Sequence, residues 1–176
     1  MKATGIVRRI DDLGRVVIPK EIRRTMRIRE GEPLEIYVDK EGEVILKKYS
    51  PMGELTSFSK EYAEAMNQTI GHMVCISDRD VLIAVSGGMK KDLMGKSVGD
   101  SIEQAMEDRR LVAGNNIIVK DQQADIGDSI IAPIVAQGDP IGSVIICAKD
   151  NQTKLGEVES KLAETAANFL AKQMEQ

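Results

Sequence analysis

Basic side chains suited to contact with a polyanion are concentrated at the start of the chain. Residues 2–29 hold nine Lys and Arg residues against three acids, a net charge of +6, whereas the whole chain carries −4. Residues 30–176 therefore carry −10. Charges farther apart than about 8 Å are screened at physiological salt, so the acidic remainder does not argue against nucleic-acid binding. The basic residues are Lys2, Arg8, Arg9, Arg15, Lys20, Arg23, Arg24, Arg27 and Arg29.

The residues after Pro19 predict a short helix that presents cations on one side. Proline suits the first turn of a helix, so a helix is expected to begin at Pro19 and to run through Met26. At about 100° per residue, four cations share an arc of roughly 100° and two apolar residues lie opposite. The cations are Lys20, Arg23, Arg24 and Arg27, and the apolar residues are Ile22 and Met26. Such a helix can pack on one side and meet phosphate with the other.

Two strands are predicted before this helix, at residues 5–10 and 16–18, with a loop at 11–15 between them. Alternating apolar residues predict two more strands, at 34–38 and 44–46. Four short strands and one short helix bury little core, because a unit of about 50 residues is only marginally stable alone. We therefore expect this unit to dimerise, which also doubles its basic face and suits a two-fold DNA site.

The same stretch resembles the AbrB-type swapped-hairpin transcription regulators. The resemblance rests on T-G-I-V-R-R-I-D-x-L-G-R-V-V-I-P-x-E-I-R-R-T, then G-x-P-L-E-I-Y-V-D and V-I-L-K-K-Y, and covers about residues 1–50. It implies that two chains interleave their hairpins into a β-barrel-like dimer that binds double-stranded DNA. It also implies DNA contacts by Arg8, Arg15, Arg23 and Arg24. The charge pattern extends this set to Lys2, Arg9 and Arg27.

Residues 55–176 show an α/β pattern between two amphipathic helices. Apolar spacing predicts helices over 54–70 and from 155 to the end of the chain, with short helices at 90–94 and 101–106, the latter capped by Asp100 or Ser101. Strands are predicted at 72–76, 81–85, 117–119, 129–137 and 141–148, the last two joined by a turn at 138–140. Residues 51–54 are interpreted as a linker.

This second region is similar to GAF sensor domains. The cues are M-V-C-I-S-D-R-D, G-D-S-I-I-A-P-I-V, G-D-P-I-G-S-V-I-I and the long final helix. The order of the two domains resembles a family of sporulation-stage transcription regulators, which implies a sensor for a small-molecule ligand of unspecified class. Its pocket would lie between the sheet and residues 86–128. The candidates are Ile83, Ser86, Ile102, Ile131 and Pro133, with an ordinary apolar core as the alternative.

The sequence contains few candidate catalytic or metal-binding residues. His72 is the only histidine, so neither a histidine-based triad nor a histidine-rich metal site has enough members. Cys75 and Cys147 lie in apolar strand contexts and lack the C-x-x-C spacing of redox or zinc sites. We predict no catalytic residue, no metal site and no cofactor, with a GAF-fold thiol enzyme as the less favoured alternative.

Together these observations predict an α+β protein. A swapped-hairpin, AbrB-like β-barrel dimer (1–50) is followed by a linker (51–54) and an α/β GAF-like domain flanked by helices (55–176). Its expected partners are double-stranded DNA and further copies of itself, as a dimer through the first domain and a tetramer through the helices of the second. With no apolar segment of about 18 residues and no signal peptide, a cytoplasmic, nucleoid-associated protein is expected. An antitoxin-like protein-binding module is the alternative from another class, because toxin neutralisers share the swapped-hairpin architecture.

Overall fold

The computed structural model describes residues 4–50, 52, 56–88, 90–116, 118–120 and 127–175. The chain divides into two compact units, Met1–Tyr49 and Ser50–Gln176. Met52, which the sequence places in a linker, is fully buried in the core of the second unit. An unbranched thioether fills irregular gaps in apolar cores, and this position is therefore not a solvated spacer.

The first unit contains helix α1 (Lys20–Thr25) and an antiparallel hairpin of β1 (Leu34–Val38) and β2 (Val44–Lys48). The alternating apolar residues that predicted these strands pair in one register, with Leu34 opposite Lys48 and Val38 opposite Val44. At the turn, the carboxylate of Asp39 accepts hydrogen bonds from the backbone N–H groups of Glu41 and Glu43, at 3.0 and 2.9 Å. The helix and both strands confirm the sequence prediction.

Two other predictions for this unit are wrong for the single chain. Residues 5–10 and 16–18 are not strands, because a strand requires a hydrogen-bonded neighbour and the described part of this chain offers them none. Arg27 does not lie on the helix, which ends at Thr25, but beyond it with a left-handed φ of 52°. It therefore does not share a helical face with Lys20, Arg23 and Arg24.

The second unit is a five-stranded antiparallel sheet with helices on both faces. Its strands are β3 (Met73–Asp78), β4 (Leu82–Ser86), β5 (Val112–Gly114), β6 (Ser129–Ala136) and β7 (Asp139–Cys147), in the spatial order β4-β3-β7-β6-β5. Its helices are α2 (Thr56–Ile70), α3 (Lys90–Leu93), α4 (Asp100–Asp108) and α5 (Glu157–Gln173). The long helices α2 and α5 were both predicted from their apolar spacing and are confirmed.

Strand alternation divides the core of this unit into two layers. Side chains of one parity, such as Val74 and Ile146, pack beneath α2 and α5. Side chains of the other parity, such as Cys75 and Ile145, pack beneath α3 and α4. Successive residues of a strand point to opposite faces, so nearly continuous apolar strands are what a sheet covered on both faces requires.

The hairpin between β6 and β7 turns at Gln137 and Gly138, whose φ angles are 51° and 88°. Positive φ at both central residues is the geometry of a type I′ turn, which matches the twist of the flanking strands. The turn therefore lies one residue earlier than the predicted 138–140. Gly142 on β7 has no room for a side chain, because a Cβ there would stand 2.1 Å from the Ser77 carbonyl oxygen.

Two local predictions for the second unit are also wrong. The edge strand is Val112–Gly114, whereas in the predicted strand 117–119 Val119 makes only an isolated bridge with Val98 and residue 117 lies outside the described residues. Helix α4 is capped by Gly99 without a side-chain bond, so Asp100 and Ser101 lie in its first turn. Acids there still favour the helix through its dipole. Of the helices within the described ranges, none is both long and apolar enough to cross a membrane.

Candidate nucleic-acid interface

The loop between the two extended segments of the first unit is ordered by one carboxylate. Asp11 accepts hydrogen bonds from the backbone N–H groups of Leu13 and Arg15, at 3.0 and 2.8 Å. The backbone closes the same turn, since the N–H of Asp11 donates to the Arg15 carbonyl oxygen at 3.0 Å. Gly14, with a φ of 75°, supplies the left-handed residue that the turn needs. The loop therefore holds Arg15 in a defined position.

The Arg15 side chain is anchored at one atom and free at the others. Its Nε donates to the Asp11 carboxylate at 2.8 Å, and its side chain remains 69% exposed. A guanidinium has five N–H groups, so four remain for phosphate or base edges. The pKa of Asp11 lies below its ordinary value, first because of the hydrogen bond from the Arg15 backbone and then because of the Arg15 side chain. Asp11 is thus an anion at neutral pH.

Helix α1 carries two of the arginines implied by the AbrB resemblance. Pro19 is buried and precedes its first turn. Arg24 is exposed, whereas Arg23 is half-buried and its Nε lacks a hydrogen-bond partner in the described part of the chain. The buried Nε of Arg23 is therefore not accessible to a ligand.

The end of α1 is fixed by a Schellman arrangement. The N–H of Ile28 donates to the Arg23 carbonyl oxygen at 2.7 Å, and Arg27 stands between them in the left-handed region. Glycine usually occupies this position, because a Cβ there is strained. The exposed Arg27 side chain thus projects from the end of the helix.

The remaining predicted contacts lie on the first extended segment. Arg8 and Arg9 are exposed, and Lys2 lies outside the described residues. The single chain thus displays Arg8, Arg9, Arg15, Arg24 and Arg27 to solvent, with Arg23 partly withdrawn. The contacts of these residues with DNA stay predictions.

The five residues predicted to line a sensor pocket lie in different parts of the second unit, and their role in binding a ligand stays a prediction. Ile102 and Ile131 are fully buried in the layer beneath α4, and Ile83 is buried in the layer beneath α2 and α5. Ser86 pairs with Val74 at the end of β4. Pro133 lines an open cavity at the outer edge of β6.

Comparison with known proteins gives the family. A family profile described as "Stage V sporulation protein T C-terminal, transcription factor" matches residues 54–175. The chain is 61% identical to the stage V sporulation protein T of Bacillus subtilis (strain 168), over all of both chains. This chain belongs to the stage V sporulation protein T family.

The first unit has relatives of its own. It is 67% identical over 51 residues to the transition state regulatory protein AbrB of Bacillus subtilis (strain 168), covering 29% of this chain and 52% of that protein. A second family profile, "Antidote-toxin recognition MazE, bacterial antitoxin", matches residues 7–54. These matches confirm the AbrB-like assignment of the first unit.

The second unit has the fold of a GAF domain. It resembles the GAF domain of a phosphoenolpyruvate-protein phosphotransferase from Coxiella burnetii, with a TM-score of 0.57 and 18% identity over 69% of this chain and 82% of that one. At this identity the likeness concerns the fold alone. It confirms the mixed α+β architecture predicted from the sequence.

Proposed function

We propose that this chain regulates transcription during sporulation by binding double-stranded DNA through a dimer of its first unit. Its membership of a transcription-factor family and its AbrB-like first unit support a DNA-binding regulator, and the GAF-like second unit fits a sensor. The finer elements of the proposal are the two-fold pairing, the individual arginine contacts, the tetramer and a location on the nucleoid.

The observation that carries the proposal is the uncovered apolar surface of the first unit. Among its described residues only Pro19 is buried, whereas thirteen large apolar side chains are exposed. They are Ile6, Val7, Ile10, Leu13, Val16, Val17, Met26, Ile36, Tyr37, Val38, Val44, Leu46 and Tyr49. Each aliphatic side chain gains roughly 1.5–3 kcal/mol when it is buried, so this surface strongly favours association.

The extended segments support pairing with an identical chain. Residues 5–10 and 16–18 are rich in the β-branched residues that favour strands but have no strand neighbour in the described part of their own chain. A second copy supplies both the missing hydrogen bonds and the missing apolar cover. Interleaved pairing of this kind places two +6 faces on one surface.

In this dimer, the contacts to DNA are assigned to Arg8, Arg15, Arg23 and Arg24. Further contacts, to the DNA sugar-phosphate backbone, are assigned to Lys2, Arg9 and Arg27. Arginine accommodates both phosphate and guanine edges, so the same set can position the protein and read sequence. Burial of the Arg23 Nε is compatible with this role, because the terminal nitrogens make the bidentate contacts.

A second self-contact is proposed for the helices of the second unit. The chain has two Phe, three Tyr and no Trp, and three of these five aromatic residues meet on α2 and α5. The ring centroids of Tyr62 and Phe169 are 5.5 Å apart, and those of Phe58 and Phe169 are 6.0 Å apart. Phe169 is still 39% exposed, which suits a contact with the same helices of another copy. Pairing through both units gives a tetramer.

The DNA assignment is tested with Arg15→Ala and Arg23→Ala in the full chain. We expect each variant to bind a duplex, selected from a random pool by the wild-type protein, about ten- to a hundredfold more weakly. Arg110→Ala, an exposed arginine of the second unit, is the matched control and should leave affinity unchanged. Unchanged affinity in both first-unit variants, with the oligomer intact by light scattering, refutes the assigned contacts.

An enzymatic role is not proposed. Cys75 and Cys147 are both fully buried. The pKa of the Cys147 thiol is raised well above its usual range by its hydrogen bond with Cys75 and by burial. A thiol nucleophile acts as the thiolate and needs access to substrate, so this pair is unsuited to that chemistry.

One observation favours the antitoxin alternative, namely the match of the MazE profile to residues 7–54. The folded GAF-like unit that follows argues against it, because antitoxins of this architecture typically wrap their toxins with a flexible tail. Purification of the tagged full chain from its native cells separates the two functions. A stoichiometric small toxic enzyme in the purified material favours the antitoxin, and DNA fragments without such an enzyme favour the regulator.

A further inference from the structure

A cavity of about 190 Å³ opens in the second unit, where the outer edge of β6 meets helix α5 and the residues after α4. It is lined by apolar residues, among them Leu111, Pro133 and Val135, and by the polar residues Arg109, Glu164 and Asn168. Pockets for drug-sized ligands measure about 300–1,000 Å³, so this one suits a smaller molecule. A ligand that complements this lining carries an anionic group for Arg109, a cationic group for Glu164 and an apolar part.

Arg109 is held in place before any ligand arrives. Its Nε donates to the carbonyl oxygen of Gly138 at 2.9 Å, in the type I′ turn of the β6–β7 hairpin. Arg109 also ends α4 in the left-handed region, with a φ of 51°, where glycine is the unstrained choice. The anchored Nε leaves both terminal nitrogens of the guanidinium, a preorganised fork for one carboxylate.

The cavity lining also supplies hydrogen-bond acceptors. Glu164 is exposed and makes no ion pair or hydrogen bond with other described residues. The edge of β6 adds a carbonyl group. The Ser129 carbonyl points toward the β5 side of β6, because Asn116, two residues after β5, donates to it, and alternate carbonyls of a strand point the same way. The Pro133 carbonyl therefore points to the same edge, one step beyond the last β5 partner at Ile131.

We propose that this cavity binds a free α-amino acid with a short aliphatic side chain. Its carboxylate would pair with Arg109, its ammonium would meet Glu164 and the Pro133 carbonyl, and its side chain would cover Leu111 and Val135. The proline at the cavity contributes an acceptor and no N–H, which favours the ammonium over a second carboxylate. This proposal deepens the sensor role and rests on it, because it names a free amino acid as the signal that the second unit binds.

The test is calorimetric titration of the full chain, without DNA, with L-leucine and L-valine. Two probes lack one charge each, 4-methylpentanoate without the ammonium and isoamylamine without the carboxylate. We expect saturable binding of at least one amino acid, and about tenfold or weaker binding of both probes, because each loses one charge-assisted contact. Arg109→Gln and Glu164→Gln should each weaken amino-acid binding by about tenfold or more.

Matched controls keep this test falsifiable. Arg110→Gln and Glu64→Gln change exposed groups outside the cavity and should not alter binding, and circular dichroism reports whether each variant is folded. The proposal is overturned if neither amino acid binds at about 10 mM. It is equally overturned if 4-methylpentanoate binds as tightly as leucine, or if folded Glu164→Gln binds like the wild type. DNA affinity measured without amino acid is independent of these outcomes, so loss of the ligand site leaves the DNA proposal intact.

Discussion

Arg27 occupies a backbone position where a glycine would be less strained. The presence of an arginine at this position favours a role for its side chain in DNA binding. Its φ is 52°, and the Schellman bond from Ile28 to Arg23 closes around it. A left-handed conformation costs a residue with a Cβ roughly 1 kcal/mol. The exposed guanidinium makes no described contact that offsets this cost, which is understandable if its contact is with DNA.

We therefore predict opposite effects of Arg27→Gly on stability and on binding. Urea unfolding of the full chain should give a free energy of unfolding that is unchanged or up to about 1 kcal/mol higher, since relief of strain outweighs the added freedom of the unfolded chain. DNA affinity, measured by fluorescence anisotropy, should fall several-fold. Arg27→Lys, which retains the charge, should restore part of the affinity. A variant that loses stability and keeps its affinity contradicts this role for Arg27.

The arginines were predictable from residue type and spacing, but their environments were not. The sequence placed Arg27 on a helical face because its angular position matched that of Lys20. It could not show that the helix ends at Thr25, since a C-terminal stop is usually signalled by glycine and here is made by an arginine. The partial burial of Arg23 likewise depends on packing, which spacing does not determine.

At the scale of elements, the start of α5 depends on one carboxylate. Glu159 accepts a hydrogen bond from the N–H of Gly156 at 2.8 Å, which is half of a capping box because glycine has no side chain to return the bond. The pKa of Glu159 is lowered, first by this bond. Its charge also lies at the positive end of the helix dipole.

Glu159→Ala should lower the free energy of unfolding by about 0.5–1 kcal/mol at pH 7. A carboxyl group with a depressed folded pKa stabilises fully above its unfolded value of 4.5 and loses that effect as pH falls through the folded value. The difference between wild type and variant should thus be constant from pH 7 to 5 and shrink below 4.5. Urea unfolding across this range measures it, and a difference that grows on acidification would contradict the cap.

Elements with a complete local signal were predicted well, and elements that need a distant partner were not. Helices α2 and α5 have sustained apolar periodicity, and both were found within a few residues. The three-residue strand β5 has no such period and exists because β6 pairs with it. The segments 5–10 and 16–18 show the converse, because they have strand-favouring residues but no strand partner among the described residues of their own chain.

For the whole molecule, the aromatic residues shared by α2 and α5 predict an assembly step. Phe58→Ala with Phe169→Ala should convert the proposed tetramer to a dimer, because Phe169 is 39% exposed and packs against Phe58 at the face assigned to this contact. Light scattering coupled to size exclusion should register a change from four to two 19.3-kDa chains. Lys60→Ala, on the opposite side of α2 from Phe58, should leave the tetramer intact. An unchanged mass for the double variant would remove this interface.

The candidate cavity marks the limit of prediction from sequence at this scale. Arg109, Pro133 and Glu164 are separated by 24 and 31 positions, and no motif links them. Only the packing of α5 against the β6 edge brings them together. Pro133 was predicted to line a pocket, but two of the residues predicted to line it together with Pro133, Ile102 and Ile131, are buried in the layer beneath α4.

The central claim, a paired first unit whose arginines neutralise DNA phosphates, is tested most directly by the salt dependence of affinity. Each phosphate contact contributes about −0.9 to the slope of log K against log salt concentration. Arg15 occurs once per chain, so a two-fold dimer on a single-site duplex loses two contacts in Arg15→Ala. The account predicts a slope that is shallower by about 1.8 than that of the wild type, with Arg110→Ala unchanged. A slope for Arg15→Ala that equals the wild-type value would contradict it.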